Sequence, residues 1–137
     1  MADPSDIPSG FYISTATNNA IAAAPAIGFG PAGFGTVTQG TSKTTTVVVN
    51  AKAGTITMHA ASLATVTSVQ FTCTNSAITA TDVVAVTCGT GGAAGAYQAH
   101  CISVGAGTSV FRVTNVSAGP LAEAVTINFA VFDTSAT

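Results

Sequence analysis

Residues 41–60 read TSKTTTVVVNAKAGTITMHA. Two β-type runs, residues 44–50 and the segment around Ile56 and Met58, flank a turn at residues 50–54. Alternation with period two puts Ile56 and Met58 on one face and Thr55, Thr57 and His59 on the other, and β-branched side chains suit such a pleated surface. The polar positions are nearly all threonine, where an exposed strand face ordinarily carries lysine and glutamate. The segment therefore predicts sheet structure in surroundings that favour neutral hydroxyls over charge.

The same period continues outward. Ile127, Phe129 and Val131 alternate with Thr126, Asn128 and Ala130, and Val69, Phe71 and Cys73 alternate with Ser68, Gln70 and Thr72. Residues 35–39, 83–88, 97–104 and 108–115 read as further strands. Turn residues separate them at Asn75, in GTGGAAG (89–95), in GAG (105–107) and in SAGP (117–120). Eight short strands punctuated this often predict an all-β fold, an antiparallel β-sandwich with eight-stranded jelly-roll order. Threonine supplies 23 of the 137 residues, which keeps half-exposed strand faces hydrated without charge.

That length suits one well-buried core and not two ordinary domains. Charged residues are 6% of the chain against about 25% in typical globular proteins. Lys43, Lys52 and Arg112 are the cations; Asp3, Asp6, Asp82, Glu123 and Asp133 are the anions. With no Lys/Arg cluster and a net charge of -2, phosphate neutralisation has no footing, so nucleic acid is not an expected partner. Weak colloidal repulsion instead favours association.

Residues 1–33 differ in kind from residues 34–137, the predicted sandwich domain. They are rich in Pro, Gly, Ala and Asn and lack a sustained period. The acidic MADPSDIPSG start has no cationic region of a secretory signal, and Gly and Pro interrupt residues 20–35 too often for a membrane span. A short helix is expected from Ser14 or Thr15 to the stop at Pro25. Terminal segments are commonly disordered, but Phe11, Tyr12, Ile13, Ile27, Phe29 and Phe34 argue against that here. They predict an extended arm that docks on a shell or on another copy. Met1 and a self-contained arm read as a complete gene product.

Sites for chemistry are scarce. GTGGAAG has no lysine and no following helix, so it reads as a flexible hairpin loop and not as a phosphate cradle. His100 and Cys101 point to opposite faces of one strand and cannot easily share a metal. Cys73 and Cys88 fall in phase with core residues. No cofactor or metal is expected. Three cysteines without CxxC spacing read as reduced thiols, with a Cys88–Cys101 disulfide across the hairpin as the alternative. Asp82 reads as a turn residue. Arg112 shares a face with Val110, opposite Phe111 and Val113, and Glu123 opens the final strand. The two read either as solvated surface charge, the usual state of exposed pairs, or as an intersubunit ion pair setting register.

The blocks GTVTQGTSKTTTVVVNAKAGTITMHAASLA (35–64), FTCTNSAITATDVVAVT (71–87) and SAGPLAEAVTINFAVF (117–132) resemble a group of small β-sandwich structural proteins of tailed bacteriophages. Pro120 stands where that pattern has serine. The resemblance spans about residues 35–133 and implies a role like that of capsid decoration (cement) proteins, which sit as homotrimers on the major capsid protein. It implies no catalytic residue, and residues 1–33 fall outside it. The expectation is a non-enzymatic virion protein on the capsid surface, assembled in the bacterial host cytoplasm, with itself and the major capsid protein as partners and no membrane. A tail-fibre or receptor/glycan-binding module is the alternative. It calls for exposed loop aromatics, of which Tyr97 is the main candidate. A hydrolase with a scattered site is disfavoured by the shortage of ionisable groups.

Overall fold

The computed structural model describes Phe29 and residues 33–134. The chain divides into two units, Met1–Gly33 and Phe34–Thr137. Phe11, Tyr12, Ile13 and the helix expected near Ser14 lie outside the described residues. Phe29, taken by itself, is half-buried.

The second unit is an all-β sandwich. Its strands are β1 (Phe34–Thr38), β2 (Val47–Val48), β3 (Ala53–Thr57), β4 (Thr67–Thr74), β5 (Val83–Cys88), β6 (Tyr97–Gly105), β7 (Thr108–Asn115) and β8 (Thr126–Phe132). The first sheet has the order β1-β3-β8-β5 and the second β2-β4-β7-β6. The chain alternates between the sheets from β1 to β6, adds the β6–β7 hairpin in the second, and returns to the first with β8. That hairpin turns at Ala106-Gly107, where Gly107 takes a φ of 73° that L side chains rarely adopt.

Two expectations need correction. β1 pairs parallel to β3 (Phe34↔Ala53 to Thr38↔Thr57) and β2 parallel to β4, so both sheets are mixed and not antiparallel. A jelly roll is an all-antiparallel arrangement of eight strands; here only β3 to β8 pair that way. The reason is in the connections. Parallel neighbours need a crossover between them, and β2, lying in the opposite sheet, is the crossover from β1 to β3. Likewise GTGGAAG is not a hairpin loop. It carries the chain from β5 in one sheet to β6 in the other.

β2 is also far shorter than the run 44–50 suggests. Thr45 and Ser42 close a turn on themselves: the Ser42 N–H donates to Thr45 Oγ1 at 2.9 Å and the Thr45 N–H to the Ser42 carbonyl at 3.2 Å. Side-chain hydroxyls that satisfy the backbone locally compete with the sheet ladder.

The core lies between the sheets, filled by the residues the alternation places inward. Ile56, Ile127, Phe129 and Val131 come from the first sheet, and Phe71, Cys73, Phe111 and Val113 from the second. Phe111 is fully buried and joins the layers, edge-on to Phe71 at 5.6 Å and tilted against Phe129 at 6.3 Å. A buried phenylalanine of this kind contributes about 1.5–3 kcal/mol from area alone. Gly54 lets β1 approach: a Cβ there would stand 2.1 Å from the Gly35 carbonyl oxygen and 2.9 Å from the Phe129 ring.

Candidate functional site

The outward face of the first sheet follows from strand parity. β1 contributes Phe34, Thr36 and Thr38; β3 contributes Ala53, Thr55 and Thr57; β8 contributes Thr126, Asn128, Ala130 and Phe132; β5 contributes Val83, Ala85 and Thr87. Register sorts these into rows. Thr36, Thr55, Asn128 and Thr87 stand in one row across all four strands, and Thr38, Thr57 and Thr126 in the next. Thr55 Oγ1 donates to Asn128 Oδ1 at 3.0 Å, so part of the hydroxyl array is bonded within itself. Toward the start of β3 the row becomes Phe34, Ala53, Ala130 and Ala85, followed by Phe132 opposite Val83. Phe34, Val83 and Phe132 are 51%, 55% and 53% exposed. None of these positions carries an ionisable side chain.

All the described charges except Arg112 lie instead at the two ends of the sandwich. At one end Lys52 pairs with Asp133 and stands 3.6 Å from Asp82. The Asp82 carboxylate is buried and accepts the Thr79 N–H at 2.9 Å and the Thr79 hydroxyl at 2.7 Å. Desolvation works to raise its pKa, but the Thr79 bonds and Lys52 outweigh it and the net shift is down. Asp82 is thus the turn residue the sequence suggests, with an added ion-pair role. At the same end Asn75, fully buried, donates from Nδ2 to the Ala51 carbonyl at 2.7 Å. Its Oδ1 accepts the N–H groups of Ala51 and Ala77 at 3.1 and 3.0 Å.

The other end holds a feature that sequence reasoning missed. Lys43 is 3% exposed, and its ammonium donates to the carbonyl oxygens of His59 and Glu123 at 2.7 and 2.6 Å. Gln39 braces the same loop: its Nε2 donates to the carbonyls of Lys43 and Thr45, and its Oε1 accepts the His59 N–H. Burial drives the Lys43 pKa below its ordinary value, and the Glu123 charge offsets only part of that. Nothing in the local stretch TSKTTT signals this. The acceptors come from positions 16 and 80 residues further along.

Arg112 sits on β7 facing outward from the second sheet, with Val110 as expected, between Gln70 on β4 and His100 on β6. Among the described residues it forms no ion pair, and its Nε is buried without a hydrogen-bond partner. Glu123 does not open the final strand; it precedes β8 in the loop, where Oε2 accepts the Ala93 N–H at 3.1 Å. The two are not joined within the chain. Phe34, which the sequence groups with the docking aromatics of the arm, instead begins β1 and belongs to the sheet face.

Tyr97 is a core residue and not a loop aromatic. Its pKa is pushed up to about 12, first by burial and then by the Glu123 carboxylate, which approaches without completing a hydrogen bond of good geometry. With Cys88, Gly92 and Val125 it lines a cavity of about 150 Å³ under residues 89–95. All three cysteines are free thiols. Burial raises the Cys73 thiol to about 11, against a smaller opposing effect of the Ser109 hydroxyl, and burial likewise raises Cys88 and Cys101. Among the described residues no three His, Cys, Asp or Glu side chains are placed to hold a metal ion, and no helix there is long and apolar enough to cross a membrane. No protein-family model, curated protein or solved structure matches this chain.

Proposed function

We propose that this protein is a non-enzymatic virion structural subunit, a capsid decoration protein that binds the outer surface of a phage head as a homotrimer and stabilises the shell. The observation that carries the reading is the uncharged outward face of the first sheet, four strands wide, ending in Phe34, Val83 and Phe132. Such a face hydrates through hydroxyls when free and gives up that water without the desolvation cost of lysine or glutamate. Its apolar end suits contact with a neighbouring subunit. The resemblance of residues 35–133 to phage structural proteins supports the same role. In this reading residues 1–33, with Phe11, Tyr12, Ile13 and Phe29, attach the subunit to the major capsid protein.

The glycan-binding alternative loses its main sugar-stacking candidate, because Tyr97 is buried. Two measurements test the proposal. Mass spectrometry of purified particles should give a copy number comparable to that of the major shell protein; a few copies per particle would place the protein in a tail. A chain lacking residues 2–30, mixed with undecorated particles, should stay folded and oligomeric yet fail to bind. Binding at the full-length level would move attachment onto the sandwich itself.

A further inference from the structure

The described charges are nearly all engaged within the chain. Lys43 is bonded to two carbonyls, Lys52 to two carboxylates, and Glu123 to a backbone N–H. Arg112 is the exception, and it is also the single described charge on an outward sheet face. Register sets it in a row with Gln70 on one side and His100 on the other. The next row along is Ser68, Thr114 and Gln98, where the Ser68 and Thr114 hydroxyls bond at 2.7 Å. The following row is Thr72, Val110 and Ser103. No acid stands on this face. A guanidinium whose Nε is sealed from water and has no acceptor forgoes a hydrogen bond that a buried donor ordinarily makes. The two terminal nitrogens of Arg112, unlike Nε, are not buried and unpartnered atoms of the interior, and together they present a planar fork that matches a carboxylate in two parallel N–H···O bonds. The Gln70 amide and the His100 ring stand beside it to take part.

We propose that the outward face of the second sheet is a carboxylate-binding site centred on Arg112 and flanked by Gln70 and His100, and that its occupant is an acidic segment of a different protein. Charge complementarity selects the ligand. The described carboxylates of this chain, Asp82, Glu123 and Asp133, are already engaged, so the described residues of a second copy have no free one to offer. The site lies on the opposite sheet from the neutral face and does not depend on the virion reading. A flat row of this kind takes an extended segment, with one carboxylate on Arg112 and neighbouring backbone or amide groups over Gln70, His100 and Thr114.

Arg112 is the one arginine in the chain, so its Nε–Hε NMR resonance reports on the site without assignment ambiguity. The test titrates full-length ¹⁵N-labelled protein with capped tetraglutamate, capped tetraglutamine and sodium acetate. Tetraglutamate should move that resonance saturably, with affinity falling as salt is added, while tetraglutamine leaves it in place. Arg112→Gln should weaken peptide binding by about tenfold or more, and Arg112→Lys should fall between, keeping charge but losing the fork. His100→Gln and Gln70→Ala should each weaken binding by a smaller factor with unchanged melting. Three results overturn the proposal. One is peptide binding indifferent to Arg112→Gln. Another is an equal response to acetate at matched carboxylate concentration, which marks an adventitious ion only. The third is self-association of the pure protein that Arg112→Gln abolishes while tetraglutamate has no effect, which makes the occupant a second copy.

Discussion

Replacing Asn75 with alanine should cost the sandwich a large share of its stability, although the residue touches no proposed partner. Asn75 N–H donates to the Gly107 carbonyl, and its own carbonyl accepts the Ile78 N–H; both bonds survive the substitution. Three side-chain bonds do not. The Ala51 carbonyl and the Ala77 N–H lose their partners, while the Ala51 N–H keeps a longer bond to the Val49 carbonyl at 3.2 Å. An orphaned buried group costs about 1–3 kcal/mol, and Ala77, half-buried, recovers part of that from water. The sum is about 2–4 kcal/mol, and at roughly 4 °C per kcal/mol for a domain near 100 residues the melting temperature should fall by about 8–16 °C. Differential scanning calorimetry reads this directly. Asn50→Ala is the control: Asn50 is exposed and its Oδ1 accepts one bond, from the Ser76 N–H, so its loss should stay within about 0.5 kcal/mol. Asn75→Asp sharpens the case. It keeps the acceptor but sets oxygen against the Ala51 carbonyl, so the variant should gain stability on acidification, where a protonated carboxyl can donate. If Asn75→Ala melts with Asn50→Ala, the bond accounting is wrong.

Gly54→Ala should cost about 3 kcal/mol, because the new methyl meets backbone at Gly35 and a core ring together; hydrogen exchange should show β1 losing protection first, and a near-native melt would refute the close approach. Val66, exposed with a φ of 50°, holds a conformation costly for a β-branched residue, so Val66→Gly should stabilise by about 0.5–1 kcal/mol in chemical denaturation, and destabilisation would contradict the strain. Burial holds the Cys73 proton to about pH 11 in the folded state, against 9.0 when unfolded. Its contribution is therefore complete below pH 9 and lost as pH climbs through 11, about 2–3 kcal/mol in all. Lys43, shifted down, has the opposite sign and gains with pH up to 10.5. Cys73→Ala should flatten the alkaline limb, and an unchanged limb would show that the thiol does not titrate with unfolding. Ala130→Glu, at the centre of the row Phe34, Ala53, Ala130 and Ala85, should melt like the native protein yet weaken trimer formation or particle binding by about thirtyfold or more; undiminished assembly would clear that face of any role.

Strand parity was legible because it depends on neighbours in sequence. It put Ile127, Phe129 and Val131 inward, set Arg112 beside Val110, and separated His100 from Cys101. Strand direction and partner were not legible, because a period of two says which face a residue takes and nothing about which strand lies alongside. The parallel placement of β1 and β2 is therefore a property of the connections. The end locks were hidden for a related reason. Asn75 announces a turn, but its bond to Ala51 joins segments 24 residues apart, and Lys43 in TSKTTT reads as a solvated lysine until distant carbonyls converge on it. Tyr97 went wrong at a boundary: it follows eight small loop residues yet already occupies the first inward position of β6.

Threonine stands where charge usually would because of where the described charges are placed. Of six described charged side chains, five lie at the ends of the sandwich, bonded to carbonyls, to backbone N–H groups or to each other, and one lies on a sheet face. Lys52 and Asp82 secure one end and Lys43 the other, so five of the six described charges fasten loops. The sheets are then left to threonine. A threonine face holds water through hydroxyls, but χ1 is stiff, so little rotamer entropy is lost when a partner covers it. Part of its hydrogen bonding is already internal, as in Thr55 with Asn128 and Ser68 with Thr114. Lysine or glutamate at the same positions would lose up to about 2 kcal/mol of rotamer freedom each and pay a desolvation cost besides. A free monomer would gain solubility from those charges, whereas a subunit that stays packed would carry their cost permanently. The composition is the one the proposed role as a packed subunit calls for.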